Sequence, residues 1–204
     1  MLIPVKSSGA KSRLSPTLSR AERQELTSLL LSGVLKALRG AGLVAATHLV
    51  SSDPEMLRLA TRLGAGTVRE ARDEGVNAAV EAGVRALGFP PKVLVLPSDL
   101  PLLRTSDLRH IIALSELLQV VIAPSISFNG TNALVFPPRL GLPLSYDNDS
   151  FWNHVRASGR KALSVGIVSN PGLTFDLDSP DDLRKLAHAR VSTASVAFAR
   201  RVVR

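Results

Sequence analysis

An aspartate directly follows an apolar strand candidate in the middle of the sequence. The run Lys92–Leu96 reads Lys-Val-Leu-Val-Leu, which is typical of a strand buried on both faces of a parallel sheet. Asp99 lies just beyond it, between Pro97 and Pro101, which stiffen the backbone. Open parallel sheets bind ligands beyond the carboxyl ends of their strands, and carboxylate oxygens suit Mg²⁺. We therefore predict that Asp99 binds a metal–nucleotide complex, the alternative being that it only caps the following turn.

Two more carboxylates stand close together near the end of the sequence, at Asp176 and Asp178. If this segment is extended, the two side chains share one face. Two like charges on one face favour a bound cation, because they repel each other without one. The alternative is the end of a strand at which Asp178 and Ser179 cap the next helix.

A basic loop follows the first strand candidate and precedes a helix. It reads Lys6-Ser7-Ser8-Gly9-Ala10-Lys11-Ser12-Arg13. Its backbone amides and the side chains of Lys6, Lys11 and Arg13 are suited to binding phosphates. The spacing of a Walker A motif is missing, so this is not a P-loop of that type. The alternative is a solvated basic loop without a ligand.

Composition narrows the classes of function. The 204 residues are 45% hydrophobic and contain no cysteine, which fits one domain spanning 1–204 and excludes disulfides and thiolate metal sites. The net charge of +8 indicates an anionic partner. Aromatic residues make up only 4% and the basic residues are scattered, which favours a nucleotide or phosphate ligand over nucleic acid.

No signal or membrane span is recognisable, so we expect no membrane partner and a cytoplasmic protein. His48 and His110 lie in apolar surroundings and are expected to be structural.

Short apolar runs alternate with helical patterns along the whole chain, which predicts βαβ units and a mostly parallel sheet. The predicted strands are Leu2–Val5, Thr47–Ser51, Thr67–Val68, Lys92–Leu96, Val120–Ala123, Ala133–Phe136 and Leu163–Val168. The predicted helices begin at Ser19, Asp53, Asn77, Asp107, Asp149 and Ser179. Residues 189–204 are weakly patterned and are predicted to be a trailing helix or arm.

Several of these segments occur together in an order that resembles a known family. They are Lys11-Ser12-Arg13-Leu14-Ser15, Gly75-Val76-Asn77, Leu96-Pro97-Ser98-Asp99-Leu100-Pro101, Gly130-Thr131-Asn132-Ala133-Leu134, Ser150-Phe151-x-x-His154 and Asp176-Leu177-Asp178-Ser179-Pro180. This combination resembles the 2-phospho-L-lactate guanylyltransferase family of coenzyme F-420 biosynthesis, with its phosphoenolpyruvate and 3-phosphoglycerate guanylyltransferase relatives. The resemblance covers roughly residues 2 to 188.

The resemblance implies a fold and a reaction. The fold is a three-layer α/β sandwich like that of nucleotide-diphospho-sugar transferases, with a mostly parallel, mixed central sheet. The enzyme transfers GMP from GTP to the phosphate of a three-carbon acid and releases pyrophosphate. The acid is 2-phospho-L-lactate in the first instance, or phosphoenolpyruvate. A molybdopterin or sugar-phosphate nucleotidyltransferase of the same fold, and a non-catalytic basic nucleic-acid binder, are the alternatives. A homodimer is possible.

The resemblance also implies roles for individual residues. Mg²⁺ would be held by three aspartates, Asp99, Asp176 and Asp178. The phosphates of GTP would be neutralised by Lys6, Lys11 and Arg13, of which Lys11 and Arg13 act with Asp99 in catalysis. The nucleoside would contact Asn77 and Ser98, and the three-carbon acid would lie near Thr131, Asp147 and Ser150. Asp147 departs from the family, which usually has glycine there, and its charge would repel an anionic acid unless a cation offsets it.

Overall fold

Seven strands form one sheet in the computed structural model, which describes residues 1–5 and 11–203. The strands are β1 (Leu2–Pro4), β2 (His48–Ser51), β3 (Gly66–Arg69), β4 (Val93–Val95), β5 (Val120–Pro124), β6 (Thr131–Phe136) and β7 (Val165–Ile167). Their order across the sheet is β3-β2-β1-β4-β6-β5-β7. The predicted strands are confirmed, because each has a counterpart whose ends differ by no more than two residues.

One reversed strand decides which residues meet at the edge of the sheet. In the described sheet, every neighbouring pair of strands is parallel except the two pairs that include β6. Val135 of β6 faces Leu94 of β4 on one side and Val121 of β5 on the other, both in antiparallel register. The first residues of β6 therefore lie at the same edge as the carboxyl ends of the parallel strands. The prediction of a mixed, mostly parallel sheet is confirmed.

Eight helices connect and cover the strands in the described part of the chain. They are α1 (Arg20–Gly40), α2 (Pro54–Arg62), α3 (Val76–Ala86), α4 (Thr105–Leu117), α5 (Ser150–Arg160), α6 (Pro171–Thr174), α7 (Pro180–Ala187) and α8 (Ala194–Val202). Within residues 1–5 and 11–203, none is both long enough and apolar enough to cross a membrane.

The helix starts follow the capping signals in the sequence. At α1, the Ser19 hydroxyl accepts from the backbone N–H of Glu22, and the Glu22 carboxylate accepts from the N–H of Ser19 in return. At α2, the Asp53 carboxylate accepts from the first backbone N–H groups, and Pro54 occupies the first helical position. These side chains satisfy donors that have no partner inside the helix.

Helices cover both faces of the sheet and create two cores. One core packs β1, β4, β5 and β6 against α1, α2 and α4, and the other packs the opposite side chains of the same strands against α3 and α5. Consecutive residues alternate between the cores, as Ile3 in the first and Leu2 in the second show. This confirms the predicted three-layer α/β sandwich.

A third cluster lies beyond the sheet and includes the C-terminal residues. Leu14, Leu177, Leu183 and Phe198 are all buried in it, against the first half of α1. The trailing segment that was predicted to be a helix or arm is thus a packed helix, α8, whose start is capped by Thr193. Leu14 follows Arg13, and Leu177 lies between Asp176 and Asp178. By burying these two leucines, the cluster fixes the two segments that carry the predicted phosphate and metal ligands.

Candidate active site

A cleft of about 1120 Å³ opens at the edge of the sheet where β4 and β5 end and β6 begins. Small-molecule pockets usually measure about 300–1,000 Å³, so this cleft has room for more than one small ligand. The predicted site residues that line it are Lys11, Arg13, Ser98, Asp99, Thr131, Asp147, Ser150, Asp176 and Asp178. Lys6 lies outside the described residues.

Lys11 joins the two acidic segments on one wall of the cleft. Its Nζ donates to Asp99 Oδ2 at 2.7 Å, to Asp178 Oδ1 at 2.9 Å and to the carbonyl oxygen of Leu177 at 2.5 Å. Burial alone would lower the pKa of the Lys11 ammonium, but the carboxylates of Asp99 and Asp178 outweigh burial and raise the pKa above its usual value. Lys11 is therefore a firmly charged cation between two carboxylates.

Asp99 is a partner of Lys11 and does not cap the following turn. Among the described residues, no backbone N–H donates to its carboxylate, and its Oδ1 atom is buried without a hydrogen-bond partner. Its carbonyl oxygen accepts from the N–H of Leu177 at 3.1 Å, which brings the Asp176–Asp178 segment beside it. A buried carboxylate oxygen without a donor is costly, and a bound cation would relieve that cost.

Asp176 is held by Asn132, for which the sequence alone predicted no role. The Asn132 side-chain amide donates to Asp176 Oδ1 at 3.2 Å and to the carbonyl oxygen of Thr174 at 3.1 Å. Burial raises the pKa of the Asp176 carboxyl, and the charges of Asp99 and Asp178 raise it further. The signal for Asn132 was a polar residue near the start of a strand that is otherwise apolar.

The Asp176–Asp178 segment is not a strand, but its side chains do alternate. Leu177 is fully buried in the third cluster, while Asp176 and Asp178 line the cleft. The helix-capping alternative is confirmed for Ser179, whose hydroxyl accepts from the N–H of Asp182. Asp178 bonds Lys11 and lies 3.7 Å from Arg13 Nη1, measured from its Oδ2 atom.

The carboxylates of Asp99, Asp176 and Asp178, which with Lys11 form the aspartate–lysine wall, have the chemistry that would suit a magnesium ion, because Mg²⁺ prefers carboxylate oxygens. The buried Oδ1 of Asp99 has no donor among the described residues. In the described part of the chain, no three His, Cys, Asp or Glu side chains form a ready-made metal cluster. The Lys11 ammonium lies between Asp99 and Asp178, where it supplies positive charge to both.

A second wall of the cleft, called the neutral wall, carries the hydroxyl groups of Thr131 and Ser150 and lies beside a buried histidine. His154 is fully buried, its Nδ1 lies 3.0 Å from Thr131 Oγ1, and its Nε2 accepts from the backbone N–H of Ser145 at 3.1 Å. Burial lowers the pKa of His154 to about 4, so its ring is neutral at physiological pH. His154 belongs to the motif Ser150-Phe151-x-x-His154, but no local pattern in the sequence indicates its contact with Thr131.

Ser150 is the first residue of α5, lines the cleft and is buried. The backbone N–H of Phe151 donates to the carbonyl oxygen of Asn129, which ties the helix start to the turn before β6. The N-terminus of a helix attracts anions, because its first N–H groups have no partner inside the helix. The hydroxyl groups of Thr131 and Ser150 and the start of α5 can therefore donate to an anion, although the carboxylates of Asp147 and Asp149 also line the cleft there.

The predicted nucleoside contact Asn77 is engaged by the loop before α5. Its Oδ1 accepts from the N–H of Tyr146 at 2.9 Å, and its Nδ2 donates to Asp147 Oδ2 at 3.2 Å. Asn77 thus positions the loop that carries Asp147. In residues 1–5 and 11–203, the charge of Asp147 is met by this neutral amide and by no arginine or lysine, so its carboxylate would repel an anion in the cleft.

The histidines predicted to be structural differ from each other. His48 packs in the sheet against Gly66 of the neighbouring strand, and burial lowers the pKa of its ring. His110 is exposed on α4, so the prediction of apolar surroundings is wrong for it. Its apolar neighbours in the sequence lie on the other face of the helix, as the buried Leu108 and Ile111 show.

Solved structures share this fold. A provisionally named nucleotide-diphospho-sugar transferase from Desulfovibrio desulfuricans superposes with a TM-score of 0.79 at 16% identity, covering 98% of this chain and 93% of that one. A nucleotidyl transferase from Methanothermobacter superposes with a TM-score of 0.65 at 18% identity, covering 98% of both chains. At these identities the likeness concerns the fold.

Relatives with closer sequences carry guanylyltransferase names. A phosphoenolpyruvate guanylyltransferase from Rubrobacter xylanophilus is 40% identical and covers 91% of each chain. A 2-phospho-L-lactate guanylyltransferase from Methanocaldococcus infernus is 33% identical, covering 86% of this chain and 78% of that protein. A 3-phospho-D-glycerate guanylyltransferase from Phenylobacterium zucineum is 34% identical, covering 88% and 84%.

The family model described as guanylyl transferase CofC like matches residues 1–203. This match spans both walls of the cleft and the third cluster, and it confirms the resemblance inferred from the motifs. The chain therefore belongs to the CofC-like guanylyl transferase family and is a nucleotidyltransferase.

Proposed function

We propose that this enzyme transfers GMP from GTP to the phosphate of a three-carbon phospho-acid. An oxygen of the acceptor phosphate forms a bond to the α-phosphorus of GTP, and the bond from that phosphorus to the α–β bridging oxygen breaks, so pyrophosphate leaves. The observation that carries the proposal is that one cleft, in a member of a guanylyl transferase family, is lined both by the aspartate–lysine wall and by the hydroxyl donors of Thr131 and Ser150.

The aspartate–lysine wall is assigned to the triphosphate. Asp99, Asp176 and Asp178 would hold Mg²⁺, which when bound would offset the charge of the phosphates. Lys11 and Arg13 are the described cations of this wall, and they would stabilise the charge that builds up on the departing pyrophosphate. Lys6 and Ser98 remain assigned to phosphate and nucleoside contacts. No protein nucleophile is required, because the acceptor phosphate is already an anion.

The neutral wall is assigned to the phospho-acid. Thr131, Ser150 and the start of α5 offer donors without bringing a second cation close to the reacting phosphorus. Transfer reactions of this kind depend on positioning, and binding the acid at these donors would hold its phosphate in the same cleft as GTP.

The names of the relatives give three different acceptor acids, so membership of the family does not by itself identify the acid. The relative with 40% identity is named for phosphoenolpyruvate, which makes this acid the first to test, ahead of 2-phospho-L-lactate and 3-phosphoglycerate. The product would be a guanosine diphospho-acid. We place it, on the resemblance alone, in the biosynthesis of coenzyme F-420.

The charge of the cleft weighs against the nucleic-acid alternative. The chain has a net charge of +8, but the cleft carries more acidic than basic side chains among the described residues. The aspartates lining it are Asp99, Asp147, Asp149, Asp176, Asp178 and Asp182, against Lys11 and Arg13. A groove that follows a nucleic-acid backbone needs the opposite balance.

The proposal is tested by pyrophosphate release from GTP with each of the three acids, with and without Mg²⁺. Release is expected only when GTP, Mg²⁺ and an acid are all present, and ATP and CTP serve as matched controls for the base. If no acid supports release, the proposed reaction is wrong. Thermal stabilisation by an oligonucleotide, with none by GTP and Mg²⁺, would favour the nucleic-acid binder instead.

A site-level test is Asp99→Asn. We expect turnover to fall by at least about a hundredfold, the range seen when one electrostatic contact to a developing charge is removed. Asp181→Asn is the matched control, since Asp181 is an exposed partner of Lys185 on α7. Circular dichroism should show both variants folded. Near-normal turnover in Asp99→Asn would exclude a metal role for Asp99.

A further inference from the structure

The hydrogen bonds around His154 define which ring nitrogen carries its proton. The backbone N–H of Ser145 can only donate, and it donates to Nε2 at 3.1 Å. Nε2 therefore has no hydrogen, and a neutral imidazole with a bare Nε2 carries its proton on Nδ1. The ring is neutral because burial keeps the pKa of His154 far below its usual value. Nδ1 is then a donor.

The donor at Nδ1 sets the direction of the Thr131 hydroxyl. Thr131 Oγ1 lies 3.0 Å from Nδ1, so this oxygen accepts a hydrogen bond from the ring. The hydroxyl proton is then left for a different acceptor. Among the described residues, no acceptor for it lies within hydrogen-bond distance, and Thr131 lines the cleft. A ligand acceptor in the cleft is the partner that this geometry lacks.

The surroundings hold the ring in this one orientation. The Tyr146 ring packs edge-on against His154, with centroids 5.0 Å apart and an interplanar angle of 67°. The next helical turn is tied to the His154 backbone through a 2.8 Å bond from the Ser158 hydroxyl to its carbonyl oxygen. A ring flipped by 180° would place Cδ2 and Cε1 near the present positions of Nδ1 and Nε2, so Thr131 and the Ser145 N–H would both lose their partners. The other tautomer would place a protonated Nε2 against the Ser145 N–H. Both outcomes would cost a buried hydrogen bond.

We propose that His154 is a positioning residue that makes the Thr131 hydroxyl a fixed donor to an anionic oxygen of the phospho-acid. The inference rests on the proposed function, because it assigns this wall to the acid. His154 does not touch the substrate and moves no proton. If Thr131 donated to the ring instead, the lone pairs of its oxygen would point toward the anion and repel it. The proton on His154 Nδ1 prevents this arrangement.

A matched pair of variants separates this role from simple packing. The Nδ2 of an asparagine lies near the Nδ1 position of histidine, so His154→Asn keeps a donor to Thr131 but loses the Ser145 contact. The Oε1 of a glutamine reaches toward Nε2, so His154→Gln keeps the Ser145 contact but loses the donor to Thr131. Both replacements are polar and smaller than histidine, so each leaves a cavity. Melting temperatures of the two variants measure how much stability this cavity costs.

Steady-state kinetics with both substrates provide the readout. We expect His154→Gln to raise the KM for the acid about tenfold, as loss of one oriented hydrogen bond of about 1.4 kcal/mol would do, with the KM for GTP unchanged. His154→Asn should raise it less than about threefold. Thr131→Val should raise the KM for the acid as much as His154→Gln does, whereas Thr131→Ser keeps the hydroxyl and should leave this KM near the wild-type value. Adding His154→Gln to the Thr131→Val variant should raise the KM no further. Equal KM values in the Asn and Gln variants, or parallel changes in the KM for GTP, would overturn the proposal.

The ring tautomer is tested without any substrate. The ¹⁵N chemical shifts of the His154 side chain at pH 7 should show a protonated Nδ1 and a bare Nε2. A protonated Nε2 would overturn the inference whatever the enzyme does to GTP. Conversely, a protonated Nδ1 in a protein that is inactive with all three acids would mean that the proposed function has failed while the structural inference stands.

Discussion

The Lys11 ammonium lies 2.7 Å from the Asp99 carboxylate, across 88 positions of sequence, with only 9% of the lysine side chain exposed. This pair joins the loop after β1 to the end of β4. It also supplies the positive charge among the aspartates that the proposed magnesium ion would otherwise provide. Lys11 and the proposed ion would therefore share the carboxylates of Asp99 and Asp178.

Lys11→Met should destabilise the metal-free protein and increase its response to Mg²⁺. We expect a loss of about 1–3 kcal/mol in the free energy of unfolding, less than the roughly 3–5 kcal/mol for breaking a fully buried pair, because Asp178 is 44% exposed. Melting temperatures with and without Mg²⁺ measure the effect, and the rise on adding Mg²⁺ should exceed that of the wild type. The matched control is Lys185→Met, which removes an exposed lysine on α7. An unchanged Mg²⁺ response would contradict the sharing of ligands.

Asp176→Asn should stabilise the metal-free protein at neutral pH. Burial and the neighbouring carboxylates raise the pKa of Asp176 in the folded state, so its ionised form is better tolerated in the unfolded chain. Its contribution to stability is therefore fully present below the unfolded pKa of about 3.9 and is lost as the pH rises through the raised folded pKa. The neutral amide avoids this loss and can still accept from Asn132 through its Oδ1 atom.

Denaturant unfolding of both proteins between pH 4 and pH 8 measures this effect. The advantage of the Asn variant should grow with pH and disappear on acidification. Adding Mg²⁺ should reverse the order, because only the wild type gains from the ion. A variant that is less stable than the wild type at pH 7.5 without metal would refute the electrostatic account.

Asp147→Asn should improve the binding of the phospho-acid. The carboxylate lines the cleft and, among the described residues, is met only by the Asn77 amide at 3.2 Å, while an asparagine keeps that bond through its Oδ1 atom. Removing one exposed negative charge is worth up to about 1 kcal/mol, so the KM for the acid should fall about threefold. The KM for GTP acts as the internal control and should not change. A rise in the KM for the acid would instead show that Asp147 contributes to binding, for example through a cation.

Phe198→Ala should show that α8 supports the active site. Phe198 is only 2% exposed in the third cluster, which also buries Leu177 between Asp176 and Asp178. Truncation of a buried phenylalanine costs about 3–5 kcal/mol, and a loosened Leu177 should weaken stabilisation by GTP and Mg²⁺. The control is Phe89→Ala, at a side chain that is 49% exposed, where we expect less than about 0.5 kcal/mol. Equal effects of the two variants would rule out this supporting role.

Local patterns in the sequence were sufficient for the elements and for part of the site. The apolar run of β4 and the caps at Ser19, Asp53 and Ser179 act within a few residues, so each could be recognised without its surroundings. The position of Asp99 followed from the rule that ligands bind beyond the ends of parallel strands. The short helix α6 was missed, because four residues are too few to show a helical period.

The chemistry of the cleft depends on contacts between distant residues. The reversal of β6 brings Thr131 and Asn132 to the edge where Asp99 lies, and no local pattern encodes the direction of a strand in a sheet. The bond from Lys11 to Asp178 spans 167 positions, and that from Thr131 to His154 requires α5 to pack on the face of the sheet beside the start of β6. Residue types and caps are local properties, whereas protonation, hydrogen-bond direction and charge balance depend on neighbours that only the folded chain brings together.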